Sequence, residues 1–179
     1  MDFNLIITTY RHKEEEAIEE AITLFEMAGD RNVDFVISKI SGIVLGYTNL
    51  DQFEIMSKFR KILIDEPWQF RYILRIIPIE RSIKTDLKTI QREIENLVQK
   101  KISFNDTYRI TVEKRHTELS TNQIINYIAK ELQFKVSLDN PDWIILIQVI
   151  GNLTGISIIK KNQIFNSVIE KRNIGLEFE

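Results

Sequence analysis

TYRITVEKRHTELSTNQIINYIAKEL, residues 107–132, begins with alternating apolar and polar side chains and ends with a helical pattern. Successive side chains of a strand point to opposite faces, so Tyr108, Ile110 and Val112 fall on one face. The alternation stops at the Lys-Arg-His sequence of residues 114–116, where we predict that the strand ends and a loop begins. Two adjacent cations and a histidine therefore stand at the predicted exit of a half-buried strand.

A helix and further strands follow this stretch. Ser120 and Gln123 have the spacing of a capping box, so we predict that the helix begins there. Residues 143–150 and 153–159 are rich in β-branched side chains and are separated by Gly-Asn, which predicts two strands joined by a tight turn. With a short strand at 134–138, this order indicates a mixed sheet flanked by helices.

The first part of the chain has the order strand, helix, strand, strand, helix. Apolar side chains recur at helical spacing in both helices, and a Ser-Gly pair separates the two adjacent strands as in a hairpin. This order is typical of a small ferredoxin-like unit, so we predict an α/β (α+β) fold with residues 1–68 as its first domain. The predicted elements are 3–8, 13–27, 34–40, 43–48 and a helix from a cap at Asn49 to about residue 64.

The second part begins with a predicted strand, FRYILRIIPIE, at residues 70–80. Pro78 donates no backbone hydrogen bond, so this strand should lie at a sheet edge there or leave the sheet. A helix is predicted at 86–101, and the second domain is predicted to cover 69–161. The tail, 162–179, has weak helical periodicity and is predicted either to dock as one or two helix turns or to be loose.

The composition excludes several classes of protein. The 179 residues are 44% hydrophobic and 28% charged, as in folded globular domains. No apolar run approaches the ~20 residues that a bilayer requires, and the start of the chain lacks a signal-peptide pattern. We therefore expect a cytoplasmic protein that does not contact membranes. The chain has no cysteine, which excludes disulfides, thiolate metal sites and a cysteine nucleophile.

Motifs for catalysis are absent from the sequence. The six glycines form neither a phosphate-binding loop nor the G-x-S-x-G turn of a nucleophile elbow. His12 and His116 are far apart, and neither has a second metal ligand at helical or hairpin spacing. NPDW at 140–143 resembles the base-holding loop of amino-methylating enzymes only superficially and has the composition of a turn. We expect no catalytic residues, no metal and no cofactor.

Charge is distributed unevenly along the chain. Residues 1–70 contain 7 Lys and Arg against 13 Asp and Glu, whereas residues 71–161 contain 15 against 10. A polyanion should therefore meet the second part, where cations on several elements can follow phosphates without contacting bases, although some of these are ordinary solvent-facing side chains. The candidate RNA-binding residues are Arg71, Arg75, Arg81, Lys84, Lys88, Arg109, Lys114, Arg115, His116, Lys135, Lys160 and Lys161.

Four motifs follow one another in a specific order. They are R-x-x-P at 75–78, a strand ending in Lys-Arg at 114–115, V-x-L-x-N-P-D at 136–142, and T-G-I-S at 154–157. In this order they resemble the THUMP domain, an RNA-binding module of tRNA-modifying proteins. The first part, with a Gly-Asp turn after its first helix, resembles the ferredoxin-like domain that precedes THUMP, so the resemblance covers residues 3–160.

Within this family, the chain resembles the archaeal and eukaryotic THUMP proteins that act as tRNA-binding adaptors for N4-acetylcytidine formation. This resemblance implies binding near the acceptor end of tRNA, while a separate acetyltransferase supplies catalysis with acetyl-CoA and ATP. By motif, Arg75, Lys114 and Arg115 would contact phosphate. His12 departs from the family pattern, which has glycine after the arginine. The residues expected to shape loops are Pro78, Asn140, Pro141 and Asp142.

Two other functions stay open. THUMP domains also occur fused to thiouridine synthases and RNA methyltransferases, so the chain is alternatively a remnant or subunit of a thiolation or methylation system. The sequence contains neither an S-G-G-x-D-S loop nor a glycine-rich methyl-donor loop. The remaining alternative is a protein-interaction module whose acidic first helix docks a partner.

Overall fold

The computed structural model describes residues 2–175, which form two five-stranded sheets with helices. This confirms the predicted α+β fold class. The elements, in chain order, are β1 (Leu5–Thr9), α1 (Glu14–Ala28), β2 (Asp34–Ile37), β3 (Ile43–Tyr47), α2 (Glu54–Asp65), β4 (Ile73–Pro78), β5 (Arg81–Lys84), α3 (Leu87–Lys101), β6 (Thr107–Arg115), α4 (Thr121–Ala129), β7 (Lys135–Val136), β8 (Trp143–Ile150), β9 (Leu153–Ile159), β10 (Phe165–Asn166) and α5 (Ser167–Asn173). None of the described helices is long and apolar enough to cross a bilayer.

The chain divides into two compact units, which differ from the predicted domains. The first unit joins Phe3–Pro78 to the segment from Asn162 onward, and the second is Ile79–Lys161. The strand predicted at 70–80 belongs to the first unit because β4 pairs antiparallel with β1 on one side and with β10 on the other. Pro78 is the last residue of β4 and still pairs with Leu5 of β1, whereas the pairing with β10 covers Arg75 and Ile76 and stops before it. The chain leaves the sheet directly after Pro78, which agrees with the prediction.

The core of the first unit is built around phenylalanine rings. Its sheet has the order β10-β4-β1-β3-β2. Phe59 of α2 packs edge to face against Phe25, Phe70 and Phe165, with ring centroids 5.0, 6.5 and 6.0 Å apart. All four rings are buried, so aromatic packing joins α1, α2, β10 and the segment that precedes β4.

The C-terminal segment completes this unit. Phe165 of β10 lies in the aromatic core, and the Oγ of Ser167 donates to the carbonyl of Ile73 at 2.6 Å. The buried Nζ of Lys171 donates to the carbonyl of Phe70 at 2.6 Å, and burial lowers the pKa of this lysine. The segment is therefore docked through Lys171, residues 172–175 are exposed, and the rest of the predicted tail lies outside the described residues.

The second unit has a mixed sheet of order β5-β9-β8-β6-β7. β6 runs parallel to β8 over eight paired positions, and β8 and β9 form an antiparallel hairpin. α3 and α4 cover one face, where Ile90, Ile94, Ile124 and Ile128 pack against the sheet. The capping box of Ser120 and Gln123 is confirmed.

Several predicted boundaries move in the structure. β5 has no counterpart among the predicted elements, β7 is only two residues long, and β6 continues to Arg115. α2 begins at Glu54 and is not capped by Asn49; instead Asp51 Oδ1 accepts hydrogen bonds from the backbone N–H groups of Phe53 and Glu54 at 2.8 and 2.9 Å. The short side chain of Asp51 therefore performs the capping that was predicted two residues earlier.

Replacing Phe165 with alanine should lower the free energy of unfolding by about 3–5 kcal/mol, because it leaves a cavity among the other three rings. Urea denaturation of the whole chain measures this change. Ile169→Ala, at a 53% exposed position of the same segment, is the matched control and should change stability by less than about 0.5 kcal/mol. A loss of stability for Phe165→Ala as small as that of the control would show that the Phe165 ring does not contribute to this core.

Candidate nucleic-acid interface

The candidate interface lies at the two ends of β6. Lys114 and Arg115 are its last two residues, so the strand ends in Lys-Arg as the motif indicates, and the loop begins after Arg115 instead of at Lys114. A strand of nine residues is roughly 26 Å long, so cations at its two ends form separate surfaces.

Lys114 and Arg115 point to opposite faces of the sheet because side chains alternate along β6. Lys114 is exposed to solvent. The guanidinium of Arg115 lies 3.6 Å from the carboxylate of Glu113 and donates to Gln148 Oε1 at 3.4 Å. Of these two predicted phosphate ligands, Lys114 is therefore the accessible one, and Arg115 is held within the sheet face.

The exit surface, at the carboxyl end of β6, contains Lys84, Lys88, Lys114 and His116. Sheet register brings Lys84 there: it pairs with Leu153, Leu153 pairs with Ile150, and Ile150 pairs with Arg115. All four members of the exit surface are exposed.

An open cleft of about 620 Å³ lies at this end, lined by residues that include His116, Asp86 and Gly151. His116 has a φ of +53°, in the left-handed region, and follows Arg115, whose carbonyl accepts from the N–H of Gly151 at 2.9 Å. Asp86 caps α3, and hydrogen bonds from the N–H and hydroxyl of Thr89 lower the pKa of its carboxyl. The lining of the cleft therefore includes the imidazole of His116 and the carboxyl groups of Asp86 and Glu118, whereas the lysines of the exit surface lie outside this lining.

The entry surface, at the amino end of β6, contains Arg109, Lys135, Lys160 and Lys161. Lys135 is paired with Thr107. Lys160 directly follows Ile159, the last residue of β9, which pairs with Ile144, the residue after Trp143. Lys160 Nζ lies 5.0 Å from the centroid of the Trp143 ring. The three lysines are exposed, whereas Arg109 is half-buried and donates to the carbonyl of Leu138 at 2.9 Å.

The Asn140-Pro141-Asp142 loop is fastened to the start of β6. Asp142 Oδ2 accepts from the N–H and the hydroxyl of Thr107 at 2.7 and 2.8 Å, and these bonds lower the pKa of the Asp142 carboxyl. The hydroxyl of Thr107 in turn accepts from the N–H of Asp142 at 3.1 Å. The loop therefore has a fixed path at the entry surface.

Besides Arg115, three predicted arginines lie outside both surfaces. Arg71 and Arg75 belong to the first unit, where Arg75 pairs with Thr8 in the sheet. Arg81 lies 3.5 Å from Glu93 and donates to the carbonyl of Glu80 at 2.8 Å. The predicted set thus divides into an exit surface, an entry surface and residues that are not part of either.

Two features were missed or left unexplained by the sequence. Phe104, in the loop before β6, is 84% exposed, and a lone aromatic residue between polar neighbours was the only signal for it. His12 has a φ of +62°, a conformation that glycine adopts at little cost. The glycine expected from the resemblance suits this turn, in which the N–H of Lys13 donates to the carbonyl of Tyr10 at 3.1 Å. Within residues 2–175, no group of three His, Asp or Glu side chains is placed to hold a metal ion.

Comparison with known proteins finds one family match, which lies within the second unit. Residues 84–159 match the family model of the THUMP domain. No curated protein sequence matches the chain.

Solved structures share the fold over most of the chain. PH1313 from Pyrococcus horikoshii OT3 is 16% identical, with 88% of this chain and 54% of that chain covered and a TM-score of 0.57. TrmN from Thermus thermophilus is 12% identical, with 88% and 45% covered and a TM-score of 0.60. A 4-thiouridine synthetase solved with RNA and bound ATP is 14% identical, with 92% and 42% covered and a TM-score of 0.54. The chain spans about half the length of these proteins.

Asp142→Asn should destabilise the protein at neutral pH, because the neutral amide is a weaker acceptor for the two donors of Thr107. A carboxyl with a lowered folded pKa adds stability above its ordinary pKa of about 3.8, and this stability is lost as the pH falls through the folded pKa. The stability gap between wild type and variant should therefore be widest near neutrality and close in acid, as measured by urea denaturation at several pH values. Asp139→Asn, in the same loop, is the control; a pH-independent gap for Asp142→Asn would contradict the assignment.

Proposed function

We propose that this THUMP-domain protein is a tRNA-binding adaptor, which presents tRNA to a separate acetyltransferase for N4-acetylcytidine formation. The match of residues 84–159 to the THUMP domain carries the proposal, because that domain implies tRNA binding in a tRNA-modification context. The chain has no active site of its own in this proposal.

The placement of exposed lysines supports phosphate recognition. Lys84, Lys114 and Lys135 lie at or near strand ends, where the sheet fixes the backbone. Binding a phosphate there requires little additional ordering of the backbone. The exit and entry surfaces are separated by the length of β6, which suits contacts with separate parts of an RNA backbone. Such contacts bind by charge and shape and are largely independent of base sequence.

The acceptor end of tRNA and the acetyltransferase partner come from the motif resemblance to adaptor proteins. The solved 4-thiouridine synthetase with a similar fold was crystallised with RNA, which supports RNA as the ligand of this architecture.

A role in thiolation or methylation is the second candidate. It is favoured by the folds of a 4-thiouridine synthetase and of a putative methyltransferase complexed with SAH, SMU.472, which resemble this chain at TM-scores of 0.54 and 0.52. In that case the chain would supply RNA binding to a different modifying domain or subunit.

Lys114→Ala should weaken binding of intact tRNA and reduce the slope of log affinity against log salt by about one, with stability unchanged within about 0.5 kcal/mol. Arg115→Ala should instead lower the free energy of unfolding by about 1–3 kcal/mol, because the buried Gln148 loses its donor. Titrations with intact tRNA and with the same tRNA lacking its single-stranded 3′ end test binding and its location together. Lys61→Ala, an exposed lysine of the first unit, is the control; an unchanged salt slope for Lys114→Ala would count against phosphate contact.

Acetylation in a reconstituted reaction tests the adaptor role. An RNA cytidine acetyltransferase with tRNA, acetyl-CoA and ATP should form N4-acetylcytidine in tRNA only when this chain is added, and the chain alone should form none. Mass spectrometry of digested tRNA measures the product. Modification by the chain alone, or no stimulation of the acetyltransferase, would reject the adaptor role, and stimulation of a thiolation or methylation enzyme would support the second candidate.

A further inference from the structure

Phe104 is the most exposed of the large hydrophobic side chains that the structure describes as exposed. Its exposed fraction is 84%. The corresponding values are 68% for Leu138, between β7 and β8, and 59% for Val136 of β7. The ring therefore contributes little to the core of the second unit. The exposed face of the ring is free for a ligand, and covering it would remove apolar surface from water.

The loop that carries Phe104 is held in one conformation. The N–H of Ser103 donates to Asp106 Oδ2 at 2.8 Å, and the N–H of Asp106 donates to the carbonyl of Ser103 at 2.9 Å. The indole N–H of Trp143 donates to the same carboxylate oxygen at 3.0 Å. Ile102, immediately before the loop, is buried. The ring is therefore presented on a preorganised turn, which reduces the entropy lost on binding.

Lysines and hydrogen-bonded carboxylates both lie at the end of the sheet that carries this turn. Phe104 lies three residues before Thr107, whose strand partner is Lys135. Lys160 lies against the Trp143 ring, and Trp143 is paired with Tyr108 at the same end of the sheet. Asp106 and Asp142 both accept hydrogen bonds from donors of the protein. The entry surface therefore places Lys135 and Lys160 at the same end of the sheet as the exposed ring.

An exposed aromatic ring with lysines at the same end of the sheet suits a nucleic acid as ligand. Every nucleobase has a flat face that can stack on an aromatic side chain, while neighbouring phosphates are attracted by lysines. Bases inside a duplex are already stacked on each other, so only an unpaired base is available. We propose that Phe104 stacks on an unpaired base of bound RNA, with Lys135 and Lys160 contacting the flanking phosphates. This inference rests on the proposed function and adds a defined contact to it.

The experiment compares an RNA hairpin that has a single-stranded overhang with the same hairpin made blunt. A fluorescent purine analogue in the overhang reports stacking. Phe104→Ala should weaken binding of the overhang hairpin by about tenfold and abolish quenching of the analogue, while binding of the blunt hairpin stays the same. Phe104→Trp keeps an aromatic face and should restore both affinity and quenching. Trp68→Ala, which removes a 65% exposed ring from a groove of the first unit that includes Glu16 and Glu19, is the matched control and should change neither.

The outcomes separate this inference from the proposed function. If the wild-type chain binds neither hairpin, both fail. If it binds both hairpins and Phe104→Ala binds them equally well, the stacking role is overturned and RNA binding stands. Equal weakening on both hairpins would place the ring against the duplex and also overturn the proposal. Loss of self-association in Phe104→Ala with unchanged RNA affinity would assign the ring to a contact between copies of the chain, with the same consequence.

Discussion

The parallel pairing of β6 with β8 determines where the rest of the second unit lies. Eight consecutive pairs, from Tyr108 with Trp143 to Arg115 with Ile150, fix both strands in one direction. A parallel pair needs a connection that returns from one end of the sheet to the other, and here α4 and β7 provide it. The connection begins at the exit surface and finishes at the entry surface, whereas the tight turn of the β8–β9 hairpin keeps Gly151 at the exit end. The separation of the basic residues into two surfaces follows from this one pairing.

The sequence predicts elements well where local chemistry specifies them. β8 and β9 have the predicted bounds, because β-branched runs flank a Gly-Asn turn. The capping box at Ser120 is likewise a local signal. β5 was missed because it is a four-residue edge strand with a cation at each end, which lacks an apolar face long enough to show alternation. The alternation of side chains along a strand predicts opposite orientations for Lys114 and Arg115, but only if the strand extends past Glu113, as it does in the structure.

Long-range pairing was beyond local patterns. β4 was assigned to the second part since it precedes that part in sequence, yet its partners are β1 and β10, which lie far away along the chain. β10 has two residues, too few for any periodicity. For the site, composition identified cations correctly as surface residues in most cases, but it could not show that Arg81 and Arg115 contact neighbouring carboxylates. The exposure of Phe104 likewise depends on how a short turn closes, which its own sequence does not specify.

The interrupted first unit has a consequence for synthesis on the ribosome. Phe165 and β10 enter its core, but residues 79–161 must be translated before they emerge. At ordinary elongation rates this interval lasts on the order of ten seconds, far longer than helices and hairpins need to form. During that time the nascent first unit lacks β10 beside β4 and lacks Phe165 in its aromatic core. We therefore infer that the first unit completes its sheet and core only after the whole second unit has been translated.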